Sequence, residues 1–157
     1  TCALPIYPLR LQKDPKLEES RTMVRKMRES VERQRGQVEA RLARMRSNIE
    51  RTDLTEGDRR DMLKGFDGGL AAQKKQSNAL WDLEAQTVGQ VEELLAFLEA
   101  KRKAWRIQDA KIVFANQAEL DKFRGYLKNV EQLSAKQEEM RKAAAEHSRA
   151  TLRSAAK

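Results

Sequence analysis

From Val24 onward the apolar residues of this chain recur at spacings of 3, 4, 7, 4, 3 and 4, through Met27, Val31, Val38, Leu42, Met45 and Ile49. That is the 3.5-residue repeat of coiled-coil packing, and a strand, whose side chains alternate every second residue, cannot use it. The seam is narrow, interrupted only near Gln34, Arg35 and Gly36, and the faces outside it are Arg, Glu, Gln and Ser. Asp14-Pro15 is expected to start this first helix, because Asp suits the N-cap and Pro the first helical position. Leu17 would sit near that start with a single neighbour, and Tyr7 to Lys13, with Pro8 and no helical period, reads as an extended lead.

A second helix is expected from Thr55, where Asp58 three residues on completes a capping box. Gly65, Gly68 and Gly69 each cost that helix roughly 1 kcal/mol relative to Ala, which predicts a kink or fray there. From Leu80 it becomes the most apolar part of the chain. Trp81, Val88, Val91, Leu95 and Leu98 form one stripe, and Leu80, Leu83, Leu94 and Phe97 form another one position back. Adjacent stripes about 100° apart mean contacts on two sides, so this is the central helix. The third helix opens with Asn116 and Glu119 at cap spacing. Its seam runs Leu120, Phe123, Leu127, Val130 and Leu133, then Gln137, Met140, Ala144 and His147, fading after Met140.

Charge supports the same order. Residues 1–51 carry 13 Lys+Arg against 7 Asp+Glu, residues 52–100 carry 5 against 10, and residues 101–157 carry 14 against 7. Net charges of +6, −5 and +7 sum to the +8 of the whole chain. A basic–acidic–basic sequence fits three antiparallel helices whose middle member touches both others, with much of the charge used internally.

Between the second and third helices, residues 105–116 (WRIQDAKIVFAN) are ambiguous. Alternation places Trp105 and Ile107 before, and Ile112 and Phe114 after, a Gln108-Asp109-Ala110-Lys111 turn, which favours a miniature β-hairpin over an uninterrupted helix. Ala110 stands where a turn glycine is usual. At 36% charged residues, 5% aromatic, 7 Gly and 3 Pro, the composition points to long helices. No apolar run approaches the ~18 residues of a membrane span.

The first six residues, TCALPI, can be back-translated as ACG TGT GCT CTT CCG ATC, the end of a common sequencing adapter. Thr1 to Ile6 are therefore expected to be a cloning or assembly scar, and the native N-terminus to be missing. Cys2 would then be artefactual. Without it there is no cysteine for a disulfide, a thiolate metal site or a nucleophile.

The strongest candidate site is the basic cluster Lys101-Arg102-Lys103-Ala104-Trp105-Arg106, which could contact a polyanion with the indole stacking on a base or headgroup. The competing reading is a cationic helix C-terminus with Trp105 capping the core. Arg21, Arg25, Arg28, Arg33, Arg35, Arg41, Arg44 and Arg46 could line phosphates. However, Glu29, Glu32, Glu39 and Glu50 are interspersed, giving local partners such as Glu29–Arg33 and Arg35–Glu39. His147 is a lone histidine without evident partners. Glu92-Glu93 and Glu138-Glu139 point about 100° apart on a helix and make no paired-carboxylate site. Gly65 to Gly69 matches no phosphate loop. No catalytic, cofactor or metal residue is assigned.

The expected fold is all-α: an elongated three-helix antiparallel bundle or coiled coil, with a miniature β-hairpin between helices 2 and 3. The scar and lead occupy 1–13, and one helical domain spans 14–157, with helices at about 15–51, 56–104 and 117–150. The expected function is non-catalytic: a helical scaffold or protein-interaction module, using a protein partner or self-association through its seams. The missing start and the extended lead lean toward the bacterial cell envelope or periplasm, with the cytoplasm as the alternative. Binding of nucleic acid or an anionic membrane surface is the alternative. A coiled-coil chaperone role is a further one, since the helix–hairpin–helix layout is loosely similar to chaperones of the prefoldin kind.

Overall fold

The structure, a computed structural model, describes residues 6–155 of the backbone, and their side chains except at 72, 73, 147, 148 and 150–155. Four α-helices and one two-stranded hairpin follow in order: α1 (Pro8–Lys13), α2 (Glu18–Arg51), α3 (Glu56–Ala100), β1 (Trp105–Gln108), β2 (Lys111–Phe114) and α4 (Gln117–Ala155). A 3₁₀ turn, Arg102–Ala104, links α3 to β1. At 1.5 Å per residue, the 45-residue α3 is about 68 Å long, so the molecule is a rod. Helices α2 and α4 both pack along α3 and make no comparable contact with each other. The all-α expectation and the central place of α3 hold, and 105–116 is a hairpin.

Several boundaries differ from the sequence reading. Residues 8–13 are helical rather than extended, with Pro8 at the first position of α1. Helix α2 starts at Glu18, not at Pro15, and its N-cap Leu17 is left-handed at φ 59°. Leu17 is also 1% exposed rather than peripheral, and buried leucine surface outweighs the cost of that backbone conformation. Asp14 still caps the helix, but from outside it: its carboxylate accepts a 2.7 Å hydrogen bond from the Ser20 N–H. Helix α3 runs unbroken through Gly65, Gly68 and Gly69, because its long pairing with α2 outweighs the glycine penalty. It stops at Ala100, short of 104, and α4 continues beyond 150.

Both expected N-caps form, with the partner acid accepting from the cap side chain rather than from its backbone N–H. The Asp58 N–H donates to Thr55 Oγ1 at 3.2 Å, and the Glu119 N–H donates to Asn116 Oδ1 at 2.9 Å. In the hairpin, Trp105 faces Phe114 and Ile107 faces Ile112 on the inner side, while Arg106 faces Val113 and Gln108 faces Lys111. Asp109 and Ala110 both have positive φ, 49° and 55°, as a two-residue type I′ turn requires.

The core lies at the hairpin end of the rod. Leu11, Leu17, Val24, Val91, Leu94, Leu95 and Leu98 are at most 1% exposed, and Trp105, Phe123 and Val130 join them. Phe97, Phe114, Phe123 and Tyr126 continue the core as an aromatic group, with neighbouring ring centroids 5.2–6.1 Å apart. Those rings fasten the hairpin to α3 and α4. Thr1 to Pro5, and Cys2 with them, lie outside the described residues. Ile6, the last residue of the suspected scar, is buried in the core cluster.

Candidate functional site

The corner where α3 gives way to β1 carries the cationic cluster singled out in the sequence, and the structure divides that cluster in two. Trp105 begins an extended strand immediately after the 3₁₀ turn, which carries its ring back over the end of α3. Its Nε1 donates a 2.7 Å hydrogen bond to the Leu98 carbonyl, one of the oxygens that a helix C-terminus leaves without a partner. The ring is 5% exposed, and the Arg102 guanidinium covers it at 4.4 Å from the centroid. Arg102 Nε also donates to the Pro15 carbonyl at 3.0 Å, tying the turn before α2 to the same corner. Lys101 Nζ lies 3.3 Å from Glu119 Oε1, at the cap of α4.

Lys101, Arg102 and Trp105 therefore join the ends of three helices, and the indole is unavailable for stacking on a base. Lys103 and Arg106 remain exposed and make no ion pair with the described residues. Arg106 Nη2 instead donates to Gln108 Oε1 at 3.1 Å along its own strand. Beside them runs a shallow, open groove of about 350 Å³ whose rim includes Lys103, Arg106 and Val113. Lys111 and Val113 extend this outer hairpin face. The sequence reading stopped at Arg106 and missed both. The signal was the alternation in Lys111-Ile112-Val113-Phe114, which sends Lys111 and Val113 outward once Ile112 and Phe114 go in.

The arginine-rich face of α2 divides as well. Arg21 pairs with Glu99, Arg28 with Glu92 through two hydrogen bonds, Arg35 with Asp82 at 3.2 Å and Arg46 with Asp67 at 3.2 Å. Hydrogen bonding to Glu92 and to Asp67 raises the pKa values of Arg28 and Arg46 respectively. Arg25, Arg33, Arg41 and Arg44 form no ion pair among the described residues. Of the local partners expected, Arg35–Glu39 forms at 3.7 Å and Glu29–Arg33 does not. On the other flank of α3 the cross-helix polar contacts between described residues include Arg141 with Glu84, and Asn129 Nδ2 donating to Gln90 Oε1 at 3.1 Å.

Glu92 is held by Arg28 and Glu93 accepts from Gln90, so the adjacent acids do serve different neighbours. The His147 side chain lies outside the described residues. Among the described residues, no group of three or more His, Cys, Asp or Glu is placed to hold a metal ion, and no helix is long and apolar enough to cross a membrane. Compared with known proteins, the chain matches no family model, no curated protein and no solved structure.

Proposed function

We propose that this protein is a non-catalytic helical scaffold whose interaction surface is the α2–α3 arm remote from the hairpin. One observation carries the reading: the apolar seam of that arm is incompletely covered. Val38, Leu42, Ile49, Leu63, Phe66 and Leu70 are only half-buried, and Met45 and Met62 are 47% and 52% exposed. Flexible methionine side chains on such a seam suit a docked helix, supplied by a partner protein or by a second copy of this chain.

Sedimentation equilibrium over a range of concentrations tests self-association first. The wild-type chain should associate, and Met45→Lys/Met62→Lys should remain folded and monomeric. A wild-type chain that is monomeric throughout, or a variant that associates equally, would overturn self-association through this arm. The nucleic-acid alternative loses four α2 arginines to α3 carboxylates. The envelope placement loses one of its two supports, since the extended lead is helix α1; cell fractionation tests it directly. A coiled-coil chaperone role would require suppression of aggregation of an unfolding client protein, and the same Met45→Lys/Met62→Lys chain is the control.

A further inference from the structure

We infer that the hairpin end of the rod docks onto an anionic lipid surface, through the outer face of the hairpin and the exposed side of α1. The proposal does not depend on what meets the remote arm. Its basis is the coincidence at one end of free cations and exposed apolar side chains. Residues 101–116 carry five Lys+Arg and one acid, Asp109. Two of those cations are used internally, Lys101 on Glu119 and Arg102 on Trp105 and Pro15. Lys103, Arg106 and Lys111 are exposed and form no ion pair with the described residues.

Interleaved with these cations is apolar surface. Val113, directly across from Arg106 in the hairpin, is 37% exposed. Helix α1 packs against β1 and presents Tyr7 and Leu9, 56% and 53% exposed. The inward positions Ile6 and Leu11 are filled, at 6% and 1% exposure, so Tyr7 and Leu9 are not needed to cover the core. Three of the five most exposed large apolar residues described thus lie at this end.

A phosphate-backbone ligand would use the cations and leave the leucine, valine and tyrosine in water. A lipid interface uses both: cations meet headgroup phosphates, aliphatic side chains enter the acyl boundary, and a tyrosine sits well at the headgroup level. The buried Trp105 also argues against stacking on bases. In this arrangement α3 projects from the surface and carries the α2–α3 arm tens of ångströms away.

The test is co-sedimentation of the full chain with vesicles in about 0.15 M salt, comparing phosphatidylglycerol/phosphatidylcholine mixtures with phosphatidylcholine alone. The wild type should partition onto the anionic vesicles only. Lys103→Gln/Arg106→Gln/Lys111→Gln should weaken partitioning about a hundredfold, and Tyr7→Ser/Leu9→Ser about tenfold. Arg25→Gln/Arg33→Gln/Arg41→Gln, which removes the same charge from α2, should leave it unchanged. All eight target side chains are exposed, and circular dichroism checks that each variant keeps its helix content. Equal binding to neutral vesicles, no binding to anionic ones, or equal losses in the α2 control would overturn the proposal. So would binding to duplex DNA that depends on the three hairpin cations but not on Tyr7 and Leu9.

Discussion

The two ends of this rod are built from the same kinds of helix and are held together differently. At the hairpin end, α3 is covered by α2, α4 and the hairpin, with α1 packed on β1, and the side chains it presents from Leu94 to Leu98 include three that are at most 1% exposed. At the remote end, α2 and the first turns of α3 form a seam of half-buried residues, held also by the Arg46–Asp67 pair. A helix pair by itself covers only one stripe of each member. The lesson is that periodicity alone does not measure stability: Val38, Leu42 and Ile49 continue the seam of Val24, yet none is fully buried.

The strongest test of this contrast is truncation at each end. Trp105→Ala removes a buried ring and the hydrogen bond to Leu98, and should destabilise by about 3–5 kcal/mol. Met62→Ala, on the exposed side of the arm, should cost under about 0.5 kcal/mol. Chemical-denaturation midpoints report both, and equal shifts would end the distinction. For the same reason Leu17→Ala should cost more than its place beside a helix start implies, since Leu17 is 1% exposed while Trp81 is only half-buried.

Next in size is the arm's own helix. A Cβ built on Gly65 or Gly69 meets nothing within 4 Å, so Gly65→Ala/Gly69→Ala should stabilise α3 by about 1–2 kcal/mol in total. Amide hydrogen exchange should slow around 60–72 and stay unchanged near Leu98. A gain spread over the whole rod would show that the arm and the hairpin end open as one unit.

Asp14 gives a smaller, pH-dependent effect confined to the hairpin end. Burial would raise its carboxyl pKa, but hydrogen bonding by Ser20 and by the backbone N–H groups of Glu19 and Glu18 outweighs burial and holds it below the ordinary 3.8. The folded value is the lower one, so the stabilisation is complete above the unfolded pKa and is lost as pH falls through the folded one. Asp14→Ala should cost about 1 kcal/mol at neutral pH. The difference from wild type should shrink as pH falls below 3.8 and through the folded pKa; a penalty undiminished in acid would mean that the carboxylate charge is not what caps α2.

The smallest effect concerns the turn. Ala110 holds φ 55° without being glycine, and Ala110→Gly should stabilise the hairpin by about 0.5–1 kcal/mol, read from thermal melting. No gain would imply that the hairpin is held by its aromatic contacts with α3 and α4 rather than by its turn.

What could be read in the chain follows from which interactions are local. The heptad seams, the Thr55–Asp58 and Asn116–Glu119 caps, the alternation around Asp109-Ala110 and the two stripes of α3 involve residues within a few positions of one another, so spacing located the three long helices and the central one and favoured the hairpin, while the short α1, which has no period to read, was missed. Charge by segment also determined that α3 would be the acidic partner of α2. The tertiary structure decided the rest. Whether Arg21, Arg28, Arg35 and Arg46 are free or paired depends on acids 21 to 78 positions away. Similarly, Trp105 is a buried brace and not a stacking platform because Arg102 and Leu98 close over it, and Leu17 is core because α2 begins three residues later than Asp14-Pro15 suggested. The arginine roles were set by which distant acids the helix pairing brings alongside, and those of Trp105 and Leu17 by solvent exclusion; both depend on the elements packed around a side chain and are written in no single stretch of sequence.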